Sequence, residues 1–111
     1  MRQTTALVIL FVAAVLEAGG DALVRFGIHT PVSSTRWVFW LMGGAVLFSY
    51  GYVVNAPPWD FGRLLGIYVV FFFVVAQIIS WAAFHQPPDR WMAVGGCLVI
   101  AGGIVMSVGS R

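Results

Sequence analysis

The sequence predicts an all-α membrane protein, a four-transmembrane-helix bundle forming one domain over residues 1–111 and pairing as an antiparallel, dual-topology homodimer. Three observations lead there: 60% of the 111 residues are hydrophobic and only 9% charged, four apolar runs are separated by Pro, Ser and charged clusters, and the basic residues are evenly divided between the run ends. With a mean hydropathy of +0.93 the chain lies outside the range of water-soluble domains. A hydrocarbon core about 30 Å thick takes about 20 apolar residues per helical span, so four spans use nearly the whole length.

The first span is placed at 4–26. It begins like a secretory leader, but Glu17 and Asp21 interrupt the apolar run and no small-residue cleavage site follows, so it is read as a helix that stays. Pro31 and the Ser and Thr residues of 30–35 end it. The second span is placed at 37–54, the third at 62–84 and the fourth at 90–110, with breaks at Pro57-Pro58 and Pro87-Pro88. Each proline pair removes two amide donors, which only an interfacial loop tolerates. Trp37, Trp40, Trp59, Trp81 and Trp91 lie near the span ends. An indole prefers the headgroup zone, and core packing is the other use open to Trp40 and Trp81.

Arginines near short loops set orientation during insertion. If the spans alternate, Arg2, Arg63 and Arg111 share one side and Arg25, Arg36 and Arg90 the other, three against three, with no lysine in the chain. Balanced ends allow insertion both ways round, and two opposed copies can then pair. The basic residues are scattered singly, which excludes a nucleic-acid surface. The single cysteine, Cys97, excludes an intrachain disulfide. No nucleophile constellation, metal set or phosphate loop is present, and neither enzymatic chemistry nor a cofactor is expected.

Glu17 falls near the middle of the first span. An ionised carboxylate at that depth is expensive unless it is paired or faces a wet cavity, and such residues mark ion pathways. Ala13, Ala14, Gly20 and Asp21 are its helical neighbours, so a carboxylate framed by small residues lets a ligand or another backbone come close. Loss of hydration disfavours the charged form of a carboxyl, and a second acid one turn away disfavours it further. A cation has the opposite effect, so proton and cationic substrate compete for one group. A structural helix-to-helix hydrogen bond is the alternative for Glu17.

Ala13, Glu17, Asp21, Arg25 and His29 follow at intervals of four and turn from acidic to basic along one stripe. Asp21 can pair with Arg25 as a salt bridge or share a proton with Glu17. The salt bridge is the favoured expectation because Arg25 neutralises it locally. His29 and His85 share a predicted side, but two histidines without further ligands do not make a metal site. Tyr68, Phe71, Phe72 and Phe73 put aromatic rings at the depth of Glu17. Rings beside a carboxylate suit lipophilic cations, and of the four Tyr68 is the candidate to line a site. Gln77 and Ser80 can bond neighbouring helices. Gly95, Gly102 and Gly109 recur every seven residues, with Gly96 and Gly103 beside the first two. They form a seam for close helix packing or for a dimer contact, and Gly43-Gly44 allows a similar approach in the second span.

Taken together, L-E-A-G-G at 16–20, Gly62-Arg63 with Tyr68 following, and Pro88-Asp89-Arg90-Trp91 leading to Gly95 and Gly102 resemble the small multidrug resistance family of the drug/metabolite transporter superfamily, most closely its YnfA-type branch. The likeness covers nearly the whole chain. It implies an antiparallel dimer in the bacterial inner membrane that exchanges protons for cationic, polyaromatic or small polar compounds. Glu17 matches the family's essential carboxylate and Tyr68 an aromatic substrate-lining position. The chain departs from the pattern at Val69-Val70, where small residues usually follow the aromatic, and at Asp21, where the family has a neutral residue. The expected activity is therefore proton-coupled export of a small solute. A dual-topology ion channel and a non-transporting membrane scaffold are the alternatives, and a paralogue is the alternative partner to a second copy.

Overall fold

The computed structural model describes residues 2–109. Ser110 and Arg111, which close the predicted fourth span and the arginine tally, lie outside the described residues, as does Met1. The described chain is four helices: α1 (Gln3–Ile28), α2 (Ser33–Val54), α3 (Phe61–Phe84) and α4 (Arg90–Gly109). At about 1.5 Å per residue the shortest, α4 with 20 residues, spans about 30 Å, so each can cross a bilayer. This is the all-α, multi-pass membrane architecture the sequence predicts.

Two helix ends differ from expectation by more than one residue. α1 runs two residues further, to Ile28, and the Thr30 hydroxyl then donates to the Phe26 carbonyl at 2.6 Å. α2 starts at Ser33 rather than at 37, because Ser33, Ser34 and Thr35 occupy a first turn whose amides lack intrahelical partners, where polar residues are at home. The Arg36 guanidinium folds back over this link, donating to the Thr30 carbonyl through Nε at 3.1 Å and Nη2 at 2.9 Å.

The extended helix packings are α1 on α2, α1 on α3 and α3 on α4. The molecule is a slab of 50 × 34 × 19 Å, about two helix diameters thick. Lipid tails are as apolar as the side chains, so close approach rather than hydrophobic transfer decides which faces meet. On α1, Ala6, Leu10, Ala13, Ala14 and Ala18 are buried and join Leu64, Ile67, Tyr68 and Val75 of α3 in the core. The α1–α2 crossing is made by glycine. A Cβ at Gly20 would stand 2.7 Å from Leu47 Cγ, and one at Gly43 would stand 3.1 Å from the Gly20 carbonyl oxygen. One heptad further, a Cβ at Gly27 would meet the Trp40 indole at 2.6 Å.

At α4 two glycine registers point in different directions. Gly96 and Gly103 are buried against Phe73 and Val70 of α3, whereas nothing lies within 4 Å of a Cβ placed at Gly95, Gly102 or Gly109. The second valine of the Val69-Val70 pair thus occupies the space that Gly103 leaves. Four arginines sit over aromatic rings: Arg25 over Phe84 at 5.1 Å, Arg36 over Trp40 at 6.0 Å, Arg63 over Trp59 at 4.9 Å and Arg90 over Trp91 at 5.1 Å. Each of these basic residues lies toward a helix end, where its head can reach water and its stem covers an aromatic surface.

Candidate functional site

Glu17 and Tyr68 meet at the α1–α3 contact. The Tyr68 hydroxyl donates to Glu17 Oε1 at 2.7 Å, joining residues 51 positions apart. The Ala13 carbonyl, 3.4 Å from the same hydroxyl, is the poorer acceptor. Tyr68 is 4% exposed and Glu17 half-buried, so this bond is made in a poorly hydrated environment. A phenol that donates to a carboxylate satisfies its ionised form, and such bonds are stronger than neutral ones. α1 supplies the acid because the alanines at 13, 14 and 18 bring its backbone against α3.

Tyr68 is held between two further rings. Tyr50 of α2 lies 5.6 Å from it, centroid to centroid, and Phe72, one turn along α3, lies at 6.3 Å. Tyr50 was not singled out by sequence. The signal available was depth: α2 and α3 are joined by the short link 55–60, and Tyr50 and Tyr68 lie at comparable distances from it.

Next to this cluster, toward the C-terminal ends of α1 and α3, a cavity of about 260 Å³ opens between the two helices. Asp21, Arg25, Phe72, Phe84, Ser80 and Gln86 give it its chemistry, and Ala18, Ala22 and Ala76 give it room. Phe72 is shared between the cavity and the aromatic cluster around Tyr68. The salt bridge expected between Asp21 and Arg25 is not formed: their charged atoms are not within 4 Å, because the guanidinium lies over the Phe84 ring instead. Asp21 is exposed and lines the cavity.

The remaining predicted residues divide between site and scaffold. Ala13 is buried under the Tyr68 hydroxyl, as a frame for the acid. Gly20 instead faces α2, against Leu47 and Gly43, so it sets the α1–α2 distance and does not border the carboxylate. Gln77 is half-buried, and the Ser80 hydroxyl donates to the Gln86 carbonyl at 3.0 Å at the rim of the cavity. Gly95, Gly102 and Gly109 lie on the open face of α4, away from this site. Among the described residues no group of three or more His, Cys, Asp or Glu side chains is placed to hold a metal ion.

A family model described as "Uncharacterised BCR, YnfA/UPF0060 family" matches residues 3–111. Among similar proteins, a UPF0060 membrane protein of Herpetosiphon aurantiacus is 31% identical over 108 residues, covering 96% of each chain. One from Staphylococcus aureus strain JH9 is 30% identical over 104 residues, covering 93% of this chain and 94% of its own. Another, from Clostridium beijerinckii, is 25% identical over 113 residues, covering 100% and 99%. No solved structure matches the chain.

Proposed function

The chain belongs to the YnfA/UPF0060 family of membrane proteins, and on that footing we propose that it is a proton-coupled exporter of small cationic solutes in the bacterial inner membrane. The observation that carries this reading is the Tyr68 hydroxyl on Glu17 Oε1 at 2.7 Å, beside a cavity and within a predominantly apolar span. A mid-span carboxylate held against an aromatic cluster binds either a proton or a cation, and each expels the other. That exclusion is what exchange requires. Tyr68 holds the empty, ionised carboxylate in place, and its ring, with Tyr50 and Phe72, offers faces to an arriving cation.

The dimer belongs to the same proposal. The open register of Gly95, Gly102 and Gly109 on α4 admits a second helix at close range, and a second copy is the natural partner. Among the described arginines Arg2 and Arg63 lie at one end of the helices and Arg25, Arg36 and Arg90 at the other, so neither end holds all the positive charge and opposed copies are permitted.

The test is proton release. Adding a phenyl-substituted ammonium salt to detergent-solubilised protein in weak buffer releases protons from the wild type and none from Glu17→Gln. No release, or equal release from both, removes the proposal. Reporter fusions that respond on each side of the membrane give signal from both sides if copies insert in opposed orientations.

A further inference from the structure

The cavity between α1 and α3 carries two opposite charges that do not satisfy each other. Asp21 and Arg25 are one helical turn apart, both line it, and Arg25 is turned onto Phe84 rather than onto the acid. Both side chains are exposed at the mouth of the cavity, so an occupant bearing both complementary charges pairs with each of them, whereas one bearing a single charge pairs with one and is repelled by the other. The walls between the charged groups are apolar: Phe72 and Phe84 provide aromatic faces and the alanines provide room. The volume of about 260 Å³ lies just below the range of about 300 to 1,000 Å³ usual for drug-sized ligands and suits a body of about amino-acid size.

We infer that this cavity is a binding site for a small zwitterion with an apolar or aromatic body, its ammonium group on Asp21 and its carboxylate on Arg25. The inference rests on the exporter reading for what the site is used for, since Phe72 links the cavity through Tyr68 to Glu17. It refines that reading from a simple cation to a solute whose ammonium group is accompanied by a carboxylate, because a simple cation entering here meets Arg25 unneutralised. The ammonium group on Asp21 then stands one helical turn from Glu17, where its charge favours the ionised form of Glu17 and so keeps the exclusion of the proton that exchange requires.

The test is calorimetric binding to full-length protein in detergent, with proton release followed in parallel, using L-phenylalanine, phenethylammonium and phenylacetate as three probes sharing one body. L-phenylalanine binds at least tenfold tighter than either of the others. Arg25→Gln removes the preference for L-phenylalanine over phenethylammonium while phenethylammonium itself binds at least as tightly as to the wild type, which also reports that the variant is folded, and Arg25→Lys restores most of the preference. Asp21→Asn weakens both amines and spares phenylacetate. Phenethylammonium binding as tightly as L-phenylalanine, with Glu17-dependent proton release, overturns the zwitterion site and leaves the exporter standing. A preference for L-phenylalanine that disappears in Arg25→Gln, without proton release, supports the site and removes the exporter instead. Binding of none of the three probes overturns the inference.

Discussion

Val70 on α3 occupies the space where any side chain at Gly103 on α4 would begin. The pair explains how a bulky residue is accommodated after Tyr68: the partner helix gives up its side chain. Gly103→Ala therefore forces the helices apart and lowers the unfolding free energy by about 1 to 3 kcal/mol, the usual scale of overpacking. Val70→Ala in the same protein recovers most of that loss, while Gly102→Ala, on the open face with nothing within 4 Å, has little effect on the monomer. Unfolding in graded SDS measures all three.

The α1–α2 crossing gives a second paired comparison. A methyl at Gly43 would meet Val24 Cγ2 at 2.9 Å, the Gly20 carbonyl oxygen at 3.1 Å and the Val24 amide nitrogen at 3.2 Å. Two of these are backbone atoms that cannot rotate away, so Gly43→Ala separates the helices and destabilises by about 1 to 3 kcal/mol. Gly44→Ala meets nothing within 4 Å and is neutral or stabilising by up to about 1 kcal/mol through helix propensity. Equal thermal shifts for the two variants contradict the packing described here.

Tyr68→Phe keeps the ring beside those of Tyr50 and Phe72 and removes only the donor to Glu17. Hydrogen bonds to charged groups contribute about 1.5 to 3 kcal/mol, and the variant loses that order of stability while Glu17 is ionised. In a Glu17→Ala background the hydroxyl has only the Ala13 carbonyl at 3.4 Å, so the same change has a much smaller effect. The double-mutant cycle isolates the pair. A coupling energy near zero shows that the bond contributes nothing to the fold.

How much of this was legible beforehand depends on whether a residue acts within its own helix. Glu17 is recognisable because a carboxylate in an apolar run is anomalous wherever the run packs. The span boundaries follow from proline pairs, whose effect is local. Tyr68 is recognisable from its depth and from its resemblance to a known pattern, but its partner ring Tyr50 is not, because the rotation of α2 about its axis is fixed by Gly20 and Gly43, a contact between helices. The same reason separates Gly96 and Gly103 from Gly95, Gly102 and Gly109. Both registers repeat every seven residues, and only the position of α3 decides which is buried. Spacing alone favours an Asp21–Arg25 salt bridge, and Phe84, brought in from α3, takes the guanidinium instead.

The two aspartates that precede helices differ in use. Asp89 Oδ1 accepts the Met92 amide at 2.8 Å, three residues into α4, whereas Asp60 precedes α3 without a side-chain cap. Asp89→Ala therefore costs about 1 kcal/mol, within the range for loss of an N-cap, while Asp60→Ala costs much less. Asp89→Ser retains most of the stability. The comparison is read from thermal unfolding followed by helical circular dichroism, and a larger effect at Asp60 than at Asp89 contradicts it.

His85 ends α3 in the left-handed region, at φ 56° and ψ 37°, the one non-glycine residue with positive φ among the described residues. Its amide donates to the Trp81 carbonyl at 3.2 Å, closing the helix in the manner usually given to glycine. The conformation is held from outside: the Gln86 amide donates to the Ser80 carbonyl at 3.0 Å, and the Ser80 hydroxyl donates to the Gln86 carbonyl at 3.0 Å. A Cβ in this region is strained by about 1 to 2 kcal/mol, and glycine removes the strain at some entropic cost in the unfolded chain. His85→Gly therefore raises stability by about 0.5 to 1 kcal/mol. Ser80→Ala removes half of the clasp and lowers stability by about 0.5 to 1.5 kcal/mol. The two changes together return the protein to near its original stability if strain and clasp are independent. A destabilised His85→Gly variant shows instead that the imidazole makes contacts that outweigh its backbone strain.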